Sequence, residues 1–108
     1  MPEAARLTYL PDFYEDLEEA VQYLAFSLGN PYAALRLVEK VEKAVLKRVA
    51  YPEVFEPYCS SKDREWPYYR IYVDNYVVYY VVISGPDGTK TMEVRRLLYG
   101  GQNRSDII

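Results

Sequence analysis

The stretch YYRIYVDNYVVYYVVI, residues 68–83, decides the architecture of this chain. Two runs rich in β-branched and aromatic residues, Tyr68–Val73 and Tyr76–Ile83, flank Asp74-Asn75, a dipeptide that tolerates the positive φ angles of a tight connection. The runs read as the two strands of a hairpin. Ser84-Gly85-Pro86-Asp87-Gly88 makes the next turn, and Thr91–Tyr99 returns as a third strand, so the second half of the chain is an antiparallel meander.

Upstream the hydrophobic period changes. In Ala5–Leu10, Leu7 and Tyr9 alternate with Arg6 and Thr8 as in a half-buried strand, which Pro11 ends. Asp12 stands as an N-cap with Glu15 three residues on, and Leu17, Ala20, Val21, Leu24 and Leu28 recur along one helical face. Gly29-Asn30-Pro31 supplies a helix stop, a new N-cap and a proline at the first helical position. Ala34, Leu37, Val38, Val41, Val45 and Val49 then form the stripe of a second helix. From Tyr51 to Pro67, prolines, serines and charges break every period, so a long ordered loop carries the chain to the meander, with Trp66 placed to anchor it. The order β-α-α-β-β-β predicts an α+β fold in two layers, an antiparallel twisted sheet covered on one face by a helical hairpin. The first strand is expected beside the last.

Composition bounds the function. A chain of 108 residues suits one domain spanning 1–108. No apolar run approaches the roughly 18 residues of a membrane span, and Met1–Ala5 lacks the basic start and apolar stretch of a secretory signal. A cytoplasmic protein without a membrane partner is expected. Cys59 is the single cysteine and histidine is absent, which argues against a zinc cluster and against an imidazole base. With no nucleotide-binding loop either, no cofactor is implied.

The net charge of −3 argues against a strongly basic nucleic-acid module. Its distribution is uneven. Residues 1–28 carry Glu3, Asp12, Glu15, Asp16, Glu18 and Glu19 against Arg6 alone, whereas Lys62, Arg64, Arg70, Lys90, Arg95, Arg96 and Arg104 fall in the second half. An anion site, if the chain has one, lies late. The early carboxylates read as a solvated helix face that also favours the helix N-terminus, with an acidic binding face as the alternative. Arg95 and Arg96 are adjacent on a strand and are expected to point to opposite faces, Arg96 toward a site and Arg95 toward a nearby acid. Of the thirteen tyrosines, Tyr69, Tyr79 and Tyr80 read as cross-strand packing, while Tyr99, at a strand end before Gly100-Gly101, suits either exposure or core capping.

A short strand, two helices and a meander in about a hundred residues resemble the RelE/ParE toxins of bacterial type II toxin–antitoxin systems. YYRIYVDNYVVYYVV is similar to the family's aromatic-rich hairpin, and EVRRLLYGGQN to its closing strand, which ends in Arg, two apolar residues, His or Tyr, and Gly, here Arg96-Leu97-Leu98-Tyr99-Gly100. Pro52-Glu53 is similar to the family's usual break after the second helix. The resemblance implies a growth-arresting toxin held silent in a hetero-oligomer by a cognate antitoxin. It also implies two classes of target.

RelE-like members are ribosome-dependent mRNA endonucleases, and by that likeness Arg70, Arg96 and Tyr99 match positions that contact phosphate, stabilise charge and stack bases or move protons. Two positions depart from the nuclease pattern: Val77 stands where a basic residue follows the hairpin aromatic, and Tyr72 where a second one often lies. ParE-like members inhibit DNA gyrase by binding, and their apolar second hairpin strand is similar to the one here. An acidic chain is also better suited to a protein target than to ribosomal RNA. The sequence therefore leans to a gyrase-type target, with the metal-independent mRNA endonuclease and a non-toxic binding partner as alternatives. Arg70 has a plainer reading too, as the partner of a carboxylate at a sheet edge.

Overall fold

The computed structural model describes residues 5–57 and 66–100. Strand β1 (Arg6–Tyr9) leads into helix α1 (Pro11–Gln22), which runs on through a wider π turn (Tyr23–Ser27) before helix α2 (Pro31–Arg48). Strands β2 (Tyr69–Val73), β3 (Tyr76–Ser84) and β4 (Lys90–Tyr99) follow. They form one sheet in the order β1-β4-β3-β2, as the α+β reading expects, with β1 beside the last strand. The meander is antiparallel, whereas β1 lies parallel to β4, so the sheet is mixed. The helices supply the return: α1 runs on toward the end of β4, with Asp16 beside Leu97 and Tyr23 beside Tyr99, and α2 brings the chain back from Asp74 to Arg70, so that the meander ends with β4 running in the direction of β1.

The local signals act largely as their chemistry dictates. Asp74 takes a φ of 52° in the hairpin turn. Gly29 adopts a φ of 63° behind the π turn, and the Asn30 side chain accepts a hydrogen bond from the Ala33 N–H at 3.0 Å, capping α2. The expected Asp12 cap does not form. Pro11 is itself the first helical residue, because its fixed φ suits that position, and Leu10 occupies the cap site without a side-chain bond.

Phe13, Ala20, Leu37, Val41 and Val45 pack against Ile71, Val73, Val78, Tyr80, Met92, Val94 and Leu97 to make the main core. Leu28 does not join it and remains 57% exposed. The cause is the π turn, in which the Leu28 N–H reaches back to Tyr23 O at 3.0 Å and the apolar stripe rotates off the core face. The other sheet face is buried as well. Tyr68, Val77, Tyr79, Val81 and Leu98 form a second cluster, with Trp66 and Ile83 against it, so Trp66 anchors the described end of the loop as expected. The rest of that loop, including Cys59, Lys62 and Arg64, and residues 101–108 with Arg104 lie outside the described residues.

Candidate functional site

The three residues singled out by the sequence do not converge. Arg70 pairs with Tyr79 across β2 and β3, and Tyr79 pairs with Arg96 across β3 and β4. Side chains paired across strands share a face, so the two arginines start from one row on the face away from the helices. Tyr99 pairs with Tyr76, and Tyr76 with Val73, on the face that the helices cover. Tyr99 and Arg70 therefore start from opposite faces, and Tyr99 meets the Arg70 face only at the sheet end, where it lines a depression with Tyr72 and Val77.

A β-bulge reshapes the end of β4. The register steps from Tyr79 opposite Arg96 to Tyr80 opposite Val94, which leaves Arg95 as the extra residue. Strict alternation is suspended there: the two arginines start from the same side of the strand, yet their side chains end apart, Arg95 at Tyr68 and Arg96 at Asp16 of α1. Arg95 donates to Glu93 Oε1 at 2.9 Å and reaches Tyr68 Oη at 3.5 Å, on the face of the second cluster. Arg95 thus has the neighbouring acid predicted for it.

Arg96 is held more tightly. Its Nε donates to Asp16 Oδ2 at 2.7 Å and its Nη2 to Asp16 Oδ1 at 2.9 Å, a two-pronged pair that links β4 to α1. The Leu97 N–H also donates to Asp16 Oδ2, at 2.9 Å. The Asp16 carboxylate is only 10% exposed and satisfies a backbone donor at the irregular end of the strand together with the guanidinium. That hydrogen bond to Asp16 raises the Arg96 pKa further above its ordinary value, so the side chain stays charged at every relevant pH. Asp16 is a residue that sequence reasoning missed. Nothing in its spacing on α1 separates it from Glu15 or Glu18, because its partner lies eighty positions away.

Tyr99 is half exposed and meets Tyr76 edge to face, with ring centroids 5.7 Å apart. Both line a groove of about 470 Å³ between the end of the sheet and the α1–π segment. Tyr23, Leu24 and Leu28 form its apolar wall, and Glu19 stands on its rim. Glu19 is shared with a shallower depression lined also by Glu15, Glu18 and Gln22. Burial raises the Tyr76 pKa, with weaker contributions from Tyr23 and Tyr99. A second groove, of about 400 Å³, runs between β1 and the helices, lined by Leu7, Phe13, Leu17, Val41 and Leu46, with Glu42 the one charged residue among the described residues that line it.

Arg70 sits 5.7 Å from the Tyr72 ring centroid, in cation–π range. Its carbonyl accepts a hydrogen bond from Arg48 Nη1 at 3.1 Å. Arg48 also donates to Tyr80 Oη at 3.0 Å and lies 3.5 Å from the Phe55 ring centroid, while Tyr80 donates to Pro52 O at 2.6 Å. These contacts tie the Pro52 break after α2 onto the sheet. Among the described residues no cluster of acidic or cysteine side chains has metal-ligand geometry, and no helix is long and apolar enough to cross a membrane.

A comparison with curated proteins gives no match. Residues 7–104 match the family described as "ParE toxin of type II toxin-antitoxin system, parDE", which spans β1 through the last strand and the Arg-x-x-Tyr-Gly ending. Since that match covers nearly the whole fold, the chain belongs to the ParE toxin family of type II toxin–antitoxin systems, whose toxins are paired with an antitoxin partner.

Proposed function

We propose that this chain arrests bacterial growth by binding a protein target, DNA gyrase being the target that its ParE character implies, and not by cutting mRNA. The observation that carries this reading is the occupied guanidinium fork of Arg96. A nuclease of this kind needs cationic groups aimed at a scissile phosphate and an acid or base beside it, within about 3 Å of the reacting atoms. Here the fork is filled by the Asp16 carboxylate, which takes the place a phosphate oxygen would need. Arg70 starts from the sheet face opposite Tyr99, and the hydrophobic Val77 is buried on β3. A binding toxin needs none of that convergence, only a surface.

The test is induction of the chain in a bacterial host, followed by two assays on the arrested cells and the purified protein. Loss of gyrase supercoiling without codon-phased mRNA cuts is the expected result. Phased cuts that disappear in the Arg70→Ala, Arg96→Ala, Tyr99→Phe triple variant overturn it in favour of the endonuclease. Normal growth with well-expressed soluble protein overturns it in favour of a non-toxic binding partner.

A further inference from the structure

We infer that the groove closed by Tyr23, Leu28 and Tyr99 takes a segment of the antitoxin in which lysines or arginines flank aliphatic or aromatic anchors. This rests on the reading that the chain is paired with an antitoxin, and adds the place and the chemistry of contact. Three observations meet there. The wall is apolar and open: Tyr23 is 53% exposed, Leu28 57% and Tyr99 51%, although each lines the same concavity. An aromatic-lined groove of about 470 Å³ is a seat for anchor side chains, and leaving it open to water carries a hydrophobic cost that an occupant removes.

Among the described residues the rim has one sign of charge. The α1 sequence PDFYEDLEEAVQ holds carboxylates and no cation, and no described lysine or arginine lines the groove or the adjoining depression. Asp16 is neutralised by Arg96, whereas among the described residues Glu15, Glu18 and Glu19 form no ion pair. Their spacing is itself unfavourable. Glu15 faces Glu18 at i,i+3 and Glu19 at i,i+4, so like charges repel on a helix that offers them no counter-ion. Cations on an incoming segment would relieve that repulsion while its apolar side chains fill the groove, which selects a basic, amphipathic occupant over an acidic or neutral one. The groove between β1 and the helices offers no such selection, since Glu42 is the one charged residue among the described residues that line it.

The first experiment uses defined probes: a helical peptide of about four turns with leucines on one face and lysines on the other, and the same peptide with glutamates for lysines. Amide NMR titration of the full chain reads both affinity and position. The lysine peptide is expected to bind at least about tenfold more tightly than the glutamate peptide, to shift Glu19, Tyr23, Leu28 and Tyr99, and to weaken as salt is raised. The Glu15→Lys, Glu18→Lys, Glu19→Lys variant should reverse the preference, and Leu28→Ala should weaken both peptides. Equal binding of the two peptides, or shifts confined to other surfaces, overturns the proposal. The second experiment co-purifies the chain with the product of the reading frame beside its gene. Capture by the wild type that the triple charge reversal leaves unweakened overturns the proposal and spares the antitoxin reading. Failure of that product to bind at all, beside a lysine peptide that binds as expected, overturns the antitoxin reading and leaves the chemistry of the groove supported.

Discussion

Two polar regions of the molecule use charge in opposite ways. At the junction between α2 and the sheet, Arg48 is consumed by folding: its guanidinium is shared between the Arg70 carbonyl, the Tyr80 hydroxyl and the Phe55 ring. Along α1, Glu15, Glu18 and Glu19 are exposed and meet no cation of their own helix, Glu18 accepting only from the Gln22 amide at 3.2 Å. The Asp16–Arg96 pair stands between these extremes, on the same helix as the unpaired glutamates yet drawn into the fold. Charges that position the backbone thus differ from solvated ones in their internal partners rather than in residue type.

The largest effect is expected at Asp16. Asp16→Ala removes a carboxylate that serves Arg96 and the Leu97 N–H together, and is expected to destabilise the chain by about 2–3 kcal/mol. The value falls below that of a sealed ion pair because Arg96 keeps 28% of its side chain exposed. Urea unfolding gives the number, and a loss under about 0.5 kcal/mol, the range of an ordinary surface substitution, would place Asp16 with the solvated glutamates.

Tyr80 comes next. Tyr80→Phe strands Pro52 O and one Arg48 donor in a part-buried setting, for an expected loss of about 1–2 kcal/mol by the same measurement. The same ring has a pH signature. Burial raises the Tyr80 pKa, and it raises those of Tyr9, Tyr69 and Tyr76 as well. A raised folded-state pKa means that stability is fully present below the unfolded value of about 10 and is lost as pH rises through the folded one. Thermal melts should therefore fall off above about pH 10, less steeply in Tyr80→Phe than in the wild type. A melting temperature unchanged across that range would contradict the buried placement of these hydroxyls.

Smaller, and opposite in sign, is the effect expected of Glu15→Gln with Glu18→Gln and Glu19→Gln. Removing the like-charge pairs should stabilise the chain by roughly 0.5 kcal/mol at low ionic strength, a gain of a few degrees in Tm that high salt erases. A loss of stability would mean that these carboxylates are held by the fold after all. The smallest effect is at the β3–β4 turn, where the Asp87 carboxylate accepts from the Thr89 hydroxyl at 2.7 Å and its N–H at 3.1 Å. The hydroxyl bond first, then the backbone one, lowers the Asp87 pKa. Its stabilisation is thus present above the ordinary carboxylate range, about 4, and lost as pH falls through and below it. The Tm difference between wild type and Asp87→Asn should shrink on acidification, and a constant difference would remove the carboxylate from that turn.

Much of this architecture is legible in residue order because it rests on short-range chemistry. The alternation and turn residues of 68–83 define the hairpin, Gly29-Asn30-Pro31 separates the helices, and the Arg96-Leu97-Leu98-Tyr99-Gly100 ending carries the family likeness. These depend on backbone sterics, side-chain volume and period, which neighbours in sequence dictate. The tertiary structure alone decided the parallel placement of β1, the bulge at Arg95, the π turn that sets Leu28 outside the core, and the capture of Arg96 by Asp16. Each of these turns on a contact or a register between segments far apart in the chain, or on a helix yielding to what packs against it. Charge and period do not encode which of several α1 carboxylates will meet an arginine on β4; the geometry of the packed layers selects Asp16 and leaves the glutamates to solvent.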